Sequence, residues 1–233
     1  MKVQFFDEKP FNADRVDKLR KTEKARYTRR YFAVEYWKED IPGNTGNHGF
    51  TYFDPTHHER FQLLWHGIES IVLGGTLLDV GCGTGLLVEV GLNRGNRVSG
   101  VDVATSAIAE FHNRTKHNWP EAVHFSDITA LNIDDFAYDT SLCFDVLEHI
   151  IVFDIFSAVA ELCRVARKKI IASINLDNPY EYHPTILSRG SWIALFEASG
   201  MANYNEQETA ILSEIVCPLR PEYDFFVFDR VRS

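Results

Sequence analysis

The sequence predicts an α/β protein: a mostly parallel sheet with helices on both faces. Short apolar runs alternate with segments of helical spacing over the last two thirds of the chain. Those runs are nearly continuous in apolar residues, as strands buried on both faces require. A glycine-rich turn, GCGTG, lies between the first run and the first helical segment after it. Sheets of this kind take ligands beyond the carboxyl ends of the strands, where the winding direction reverses.

Composition sets the frame. The chain has 233 residues, enough for one globular domain with a small appendage. Apolar residues make up 45% of it, so a sizeable core is within reach. No window of about 18 apolar residues occurs, which argues against a membrane span. The first residues, MKVQFFDEKPFNADR, are too polar for a secretory signal. The four cysteines, Cys82, Cys143, Cys163 and Cys217, lack metal-site spacing and suit a reducing compartment, so cytoplasm is the expected location. The net charge of −9 disfavours nucleic acid, whose binding depends on lysines and arginines neutralising phosphates. The basic run KLRKTEKARYTRR, Lys18 to Arg30, reads more simply as a solvated helix face.

The elements follow in order. Residues 1 to about 40 read as mostly helix, with Val16, Leu19, Tyr27, Tyr31 and Val34 near helical spacing. IPGNTGNHGFTYFDP, Ile41 to Pro55, is a loop and a candidate lid. Thr56 to Val72 reads as helix, with Thr56 and Glu59 placed for a capping box. Strands are expected at Thr76–Val80, Arg97–Val101, Ala122–Phe125, Thr140–Phe144, Lys169–Ile174 and Phe225–Phe228. Helices are expected at about Gly85–Arg94, Ser106–Lys116, Phe153–Val165 and Ser188–Ser199, with Gly200 a plausible stop. The last strand follows CPLRP closely, which suggests antiparallel insertion. The expected division is a helical cap and lid over residues 1–70 and a sheet domain over 71–233.

The glycines explain themselves once placed. TLLDV is a strand and LLVEVGLNRG a helix, so GCGTG is the turn joining them. Bare backbone at Gly81 and Gly83 permits positive φ and close approach by a ligand. The helix terminus behind the turn adds unpaired N–H groups. A glycine turn alone does not choose the ligand, because dinucleotide folds share it. Asp102 ends the second strand, 17 residues after Gly85. A carboxylate there accepts hydrogen bonds from both ribose hydroxyls and repels a 2′-phosphate. Asp127, in HFSDI, is placed to accept from an adenine amino group, with Val103 and Ile128 on either side of the ring; its plainer role is to cap a following helix. Asp79, just before the glycines, suits an ammonium and is unfavourable to a pyrophosphate. Cys82 reads as a small residue that fits the turn, not as a nucleophile.

DVGCGTG, VDVATSAI, FSDI and FDVLEHI, in this order and register, resemble the motif series of class I S-adenosylmethionine-dependent methyltransferases. The resemblance covers about residues 70 to 233. It implies a Rossmann-like, doubly wound, seven-stranded sheet with its last strand antiparallel. It also implies S-adenosyl-L-methionine as cofactor. The methionine moiety would lie at Asp79, Gly81 and Gly83, beside Cys82 and Gly85. The ribose would lie at Asp102 and the adenine at Val103, Asp127 and Ile128. Phe144 and Asp145 would lie beside the methionine half.

Methyl transfer to a hydroxyl needs a base, and histidine suits that task near neutral pH. His149, in FDVLEHI, follows the fourth strand, and His183, in NPYEYHPT, follows the fifth on the same rim. These two are the expected catalytic residues; the bland alternative for each is a hydrogen bond that orders its loop. Glu148 would orient His149 or cap the next helix. His57 and His58 rank as surface or lid residues. DNPYEY, Asp177 to Tyr182, lacks the second proline of the tetrapeptide that marks amino-methylating enzymes and follows the wrong strand. It reads as a turn lined with aromatic residues. His183 to Met201 resembles the late helix of methyltransferases acting on sugars, lipids and other small metabolites, although core packing explains Trp192, Leu195 and Phe196 equally well. In RRYFAVEYWK, Arg29 or Arg30 would meet the cofactor carboxylate, and Tyr36 or Trp37 would wall the pocket; the alternative is a helix with ordinary aromatic anchors. No metal is expected.

The reading is therefore an O- or N-methyltransferase of a small polar metabolite, such as a sugar or natural-product intermediate. The carboxylates Asp145, Glu148, Asp177 and Glu181 favour a hydroxylated or cationic acceptor. Monomer and homodimer both stay open. Two alternatives remain: a non-catalytic methyltransferase-like subunit that binds a partner protein, and a dehydrogenase using NAD.

Overall fold

The computed structural model describes residues 13–26, 55–176, 183–218 and 224–231. The expected contacts of Arg29, Arg30, Tyr36 and Trp37, the loop before Pro55, and the turn at Asp177–Tyr182 lie outside these residues. So do the side chains of His57 and His58.

Seven strands form one sheet: β1 Thr76–Val80, β2 Arg97–Asp102, β3 Val123–Phe125, β4 Tyr138–Phe144, β5 Ala166–Ile174, β6 Ala202–Tyr204 and β7 Asp224–Arg230. Their order is β3-β2-β1-β4-β5-β7-β6. The first five strands run parallel, and β7 is antiparallel to both neighbours. The helices are α1 Ala13–Arg26, α2 Pro55–Ile71, α3 Leu86–Asn93, α4 Thr105–Arg114, α5 Ile155–Val165, α6 Arg189–Ala198 and α7 Glu206–Val216.

Alternation along the strands supplies two cores. Leu78, Cys143, Ile170 and Phe226 face one side, with α5 residues and with Trp192 and Phe196 of α6. Their chain neighbours Leu77, Leu142, Ile171 and Val227 face the other, with Trp65 and Ile68 of α2 and Leu212 of α7. Successive strand residues point to opposite faces, so a strand apolar at every position can only be covered twice. Small residues set the spacing of the second layer. A Cβ on Gly67 would lie 2.7 Å from Leu212, and one on Gly91 would collide with the Trp65 ring.

Several boundaries differ from the sequence reading for local reasons. α2 starts at Pro55, so Thr56 lies inside its first turn rather than capping it. Proline favours the first helical position because its missing N–H is not needed there. α6 starts at Arg189 and not at Ser188, which caps it: the Ser188 side chain accepts the Ser191 N–H at 3.1 Å. β5 begins at Ala166, before the exposed pair Arg167 and Lys168 that masked it as a strand. β6 is a three-residue edge and α7 follows a real but overlooked cap, Asn205, whose side chain accepts the Glu208 N–H at 2.9 Å.

The winding reverses between β1 and β4. The segments leaving their carboxyl ends, Gly81–Gly85 and Asp145–His149, therefore meet at the switch point. α1 is tied to this end of the molecule. Arg20 donates from Nε and Nη2 to Asp154 at 2.6–2.9 Å. Asp154 precedes α5 without capping it by its side chain, because its carboxylate faces Arg20.

Candidate cofactor and acceptor site

The turn after β1 is built from left-handed residues. Gly81, Gly83 and Gly85 have φ of 79°, 54° and 69°. A side chain at Gly81 would also strike Val146, and one at Gly85 the Phe111 ring, at 2.6 Å. Packing within the chain therefore demands glycine at positions 81 and 85, and the left-handed backbone favours it at 83 as well. Four amides of the turn are already bonded inside the fold. Gly81 and Cys82 donate to the Val101 carbonyl at 2.8 and 3.0 Å, Gly85 donates to the Cys82 carbonyl at 2.9 Å, and Gly83 donates to Asp102 at 2.8 Å. The bend is thus pre-shaped by its own hydrogen bonds rather than waiting for a ligand to shape it.

Two acidic groups flank it. Asp102, 8% exposed, closes β2. Its Oδ2 accepts from Gly83 and its Oδ1 from the Ala104 N–H at 2.7 Å. Each carboxylate oxygen can accept more than one hydrogen bond, so capacity remains on both for a diol. Burial pushes the Asp102 pKa up, while the bonds from Ala104 and Gly83 pull it back. Asp79, 4% exposed, lies at the end of β1, and no described residue donates a hydrogen bond to it. Burial, reinforced by the negative charge of Asp102, pushes its pKa to about 8. A buried carboxyl in this state stays protonated at neutral pH unless a cation comes to meet it. The thiol of Cys82 is pushed well up by burial, then by Asp102 and Asp79. It is no nucleophile at neutral pH.

The next strand ends complete the lining. Asp127 Oδ1 accepts from the Thr129 N–H and hydroxyl at 3.0 and 2.8 Å. This is a side-chain turn; no helix begins here, so the helix-cap alternative is corrected. Ile128 packs into the core with Leu78, Val80 and Val101, while Val103 stays half-buried. Phe144, at the end of β4, meets Phe225 edge to face with ring centres 6.5 Å apart. Asp145 takes a left-handed conformation, φ 57°, and receives the Ser173 hydroxyl at 2.6 Å.

Beyond Asp145 the chain makes a short 3-10 turn, Leu147–His149. Glu148 is 1% exposed, and its Oε1 accepts the Asn175 N–H at 3.1 Å. The structure brings His149 and His183 together: their rings stand edge to face, 4.6 Å between centres and 81° between planes. The two expected catalytic residues thus share one place.

Three supports were missed from sequence. Arg114 donates to the Thr84 carbonyl at 2.7 Å and to Glu89 at 2.8 Å, so the end of α4 braces the turn and α3. Gly100 leaves room for Cys82 and Val88, each 2.8 Å from where its Cβ would stand. Val146 covers Gly81. These contacts join residues 12 to 65 positions apart, beyond what local pattern carries.

Glycine turn, strand-end carboxylates and switch-point position define a nucleoside-binding α/β protein of the doubly wound class. Residues 78–172 match the family model described as "Methyltransferase domain". The chain is 30% identical over 122 residues to the ubiquinone biosynthesis O-methyltransferase of Paraburkholderia xenovorans (strain LB400), covering 50% of each chain. It is 32% identical over 122 residues to the chloroplastic magnesium protoporphyrin IX methyltransferase of Arabidopsis thaliana, covering 52% of this chain and 38% of that one. The chain thus spans about half the length, or less, of the curated relatives it matches. Its fold is similar to that of the magnesium protoporphyrin IX methyltransferase from Synechocystis PCC 6803 solved with bound SAM. That match has a TM-score of 0.56 at 17% identity and covers 91% of this chain and 97% of that one. Over residues 78–172 the chain is therefore similar to methyltransferase domains, and the glycine turn, Asp79 and Asp102 all lie within that match. Among the described residues no helix is long and apolar enough to cross a membrane.

Proposed function

We propose that the protein transfers a methyl group from S-adenosylmethionine to an oxygen of a small polar metabolite. The observation that carries this is the pair of buried carboxyls, Asp79 and Asp102, on either side of the pre-shaped glycine turn. The donor set fits the cofactor. Asp102 retains acceptor capacity for the two ribose hydroxyls, and Asp79 has no described donor and suits the α-ammonium. Gly81 and Gly83 lie under the methionine half with Cys82 and Gly85, and Val103, Asp127 and Ile128 lie toward the adenine. Phe144 borders the methionine side. Arg30 and Trp37 belong to the same proposal as cofactor contacts from the N-terminal cap, residues 1–70.

The cofactor supplies an already activated methyl on a sulfonium. The chain's work is then to hold the acceptor in line, which is worth about 7–11 kcal/mol, and to take the acceptor's proton. His149 and His183 stand together on the rim beyond β4 and β5, where that proton leaves. Oxygen is preferred over nitrogen because two matched relatives with different acceptors include a named O-methyltransferase. Sugar and natural-product hydroxyls are the acceptor classes proposed.

Calorimetric titration with S-adenosylhomocysteine tests the cofactor, and a labelled-methyl screen of metabolite pools tests the acceptor. Binding of NAD in preference would make the protein a dehydrogenase, and no binding of either would make it a non-catalytic subunit. His149→Ala is expected to lower turnover about 10²–10⁴-fold with cofactor affinity nearly unchanged. Equal losses in both would mean that the residue only shapes the loop.

A further inference from the structure

We propose that Glu148, His149 and His183 bind one divalent first-row transition-metal cation at the acceptor side of the site. One ligand atom from each residue, two ring nitrogens and a carboxylate oxygen, lies within 4.8 Å of the other two. Imidazole and carboxylate together suit Zn²⁺, Fe²⁺, Co²⁺ or Mn²⁺ rather than Ca²⁺, which prefers oxygen alone. Bonds of about 2.1 Å bring ligand atoms to about 3–3.5 Å from one another. The half-buried imidazoles reach that by rotation of their side chains.

The surroundings are those of a held site. Glu148 is oriented by the Asn175 N–H on one oxygen. His149 follows it in the 3-10 turn, whose N–H donates to the Val146 carbonyl at 3.0 Å. The segment starting at His183 is laced to that turn twice. Thr185 donates its N–H to the Glu148 carbonyl at 3.2 Å and its hydroxyl to the Ile150 carbonyl at 2.6 Å. Ligands fixed through such outer contacts bind metal with less reorganisation. Two loops, one after β4 and one before α6, are therefore joined where their metal-binding side chains meet.

The cation's role, unlike its binding, rests on the proposed function. Three protein ligands leave coordination positions open. An acceptor oxygen placed there becomes more acidic, because the cation stabilises the alkoxide or phenolate that attacks the methyl. The oxygen–carbon bond forms as the carbon–sulfur bond breaks, S-adenosylhomocysteine leaves, and the hydroxyl proton passes to water. With the cation bound, His149 and His183 promote loss of the proton through the metal in place of accepting it themselves, which replaces their role as free bases, and a chelated vicinal diol or catechol-like acceptor is the class such a site selects.

Titrating chelator-stripped, tag-free protein with Co²⁺ tests binding without any turnover. The expected result is one ion per chain, with visible ligand-field bands and no thiolate charge-transfer band. His183→Ala and His149→Ala are each expected to weaken it about 100-fold while S-adenosylhomocysteine still binds. His183→Ala is the safer variant, since its residue is not in a helix or strand. No ion bound, a thiolate band, or unchanged affinity in both variants would overturn the site. If Co²⁺ binds but S-adenosylhomocysteine does not, the methyl-transfer reading fails and the metal site stands.

Discussion

Replacing Asp102 with alanine is expected to weaken S-adenosylhomocysteine binding at least about 100-fold. The ribose loses two charge-assisted hydrogen bonds, each worth roughly 1.5–3 kcal/mol. The turn loses as well. Gly83 and Ala104 would be left with N–H groups that now end on the carboxylate, at 2.8 and 2.7 Å. Orphaning such donors costs about 1–3 kcal/mol each where water cannot replace the acceptor. The variant should therefore also melt earlier without its ligand. Calorimetry and a thermal melt check both halves. Affinity unchanged within about threefold, with the melt lowered, would leave Asp102 as a loop anchor only.

Asp79→Asn is expected to do the opposite to stability while also weakening binding. The folded Asp79 carboxyl has its pKa raised from 3.8 to about 8. Between those values the native state holds a proton that the unfolded state has released. Its contribution to stability is therefore greatest at the acid end, falls as pH rises through this window, and is lost above about 8. Asparagine cannot ionise, so the ligand-free variant should be more stable than the parent at pH 8–9, on the order of 1–3 kcal/mol, with the difference vanishing near pH 4. Binding reverses the sign. An ammonium arriving beside Asp79 favours the carboxylate, so ligand binding at pH 7 should expel a proton. The observed binding enthalpy then depends on the buffer's ionisation enthalpy. In Asp79→Asn that dependence disappears and affinity falls at least about tenfold, since a charge-assisted bond is lost. Buffer-independent enthalpy in the parent would show that no cation meets this carboxyl.

These two residues also show what the sequence could and could not tell. Asp79 stood out in the strand just before the glycines and Asp102 as the end of the second strand, 17 residues after Gly85; they lie in β1 and at the end of β2. The parallel strands β1 to β5 were visible through their apolar cores. β6 was not, because three residues with one buried position carry no period. α7 was legible in principle, through the Asn205 cap and the buried positions Thr209, Leu212 and Val216. Their spacing blurs in a segment rich in Glu. The meeting of His149 with His183 could be guessed only as a shared rim. Their contact depends on Thr185 reaching back 37 positions to the Glu148 carbonyl. Arg114 bracing Thr84 is of the same kind, a contact fixed by the sheet and not by any local pattern. The protonation of Asp79 needed burial and a neighbouring charge, both consequences of tertiary packing.

The most direct check on the whole account is a crystal structure grown with S-adenosylhomocysteine. The nucleoside is expected to lie across Gly81–Gly85, with both ribose hydroxyls on the Asp102 carboxylate and the amino group beside Asp79. A nucleoside seated anywhere else, or one whose ribose turns away from Asp102, would contradict it.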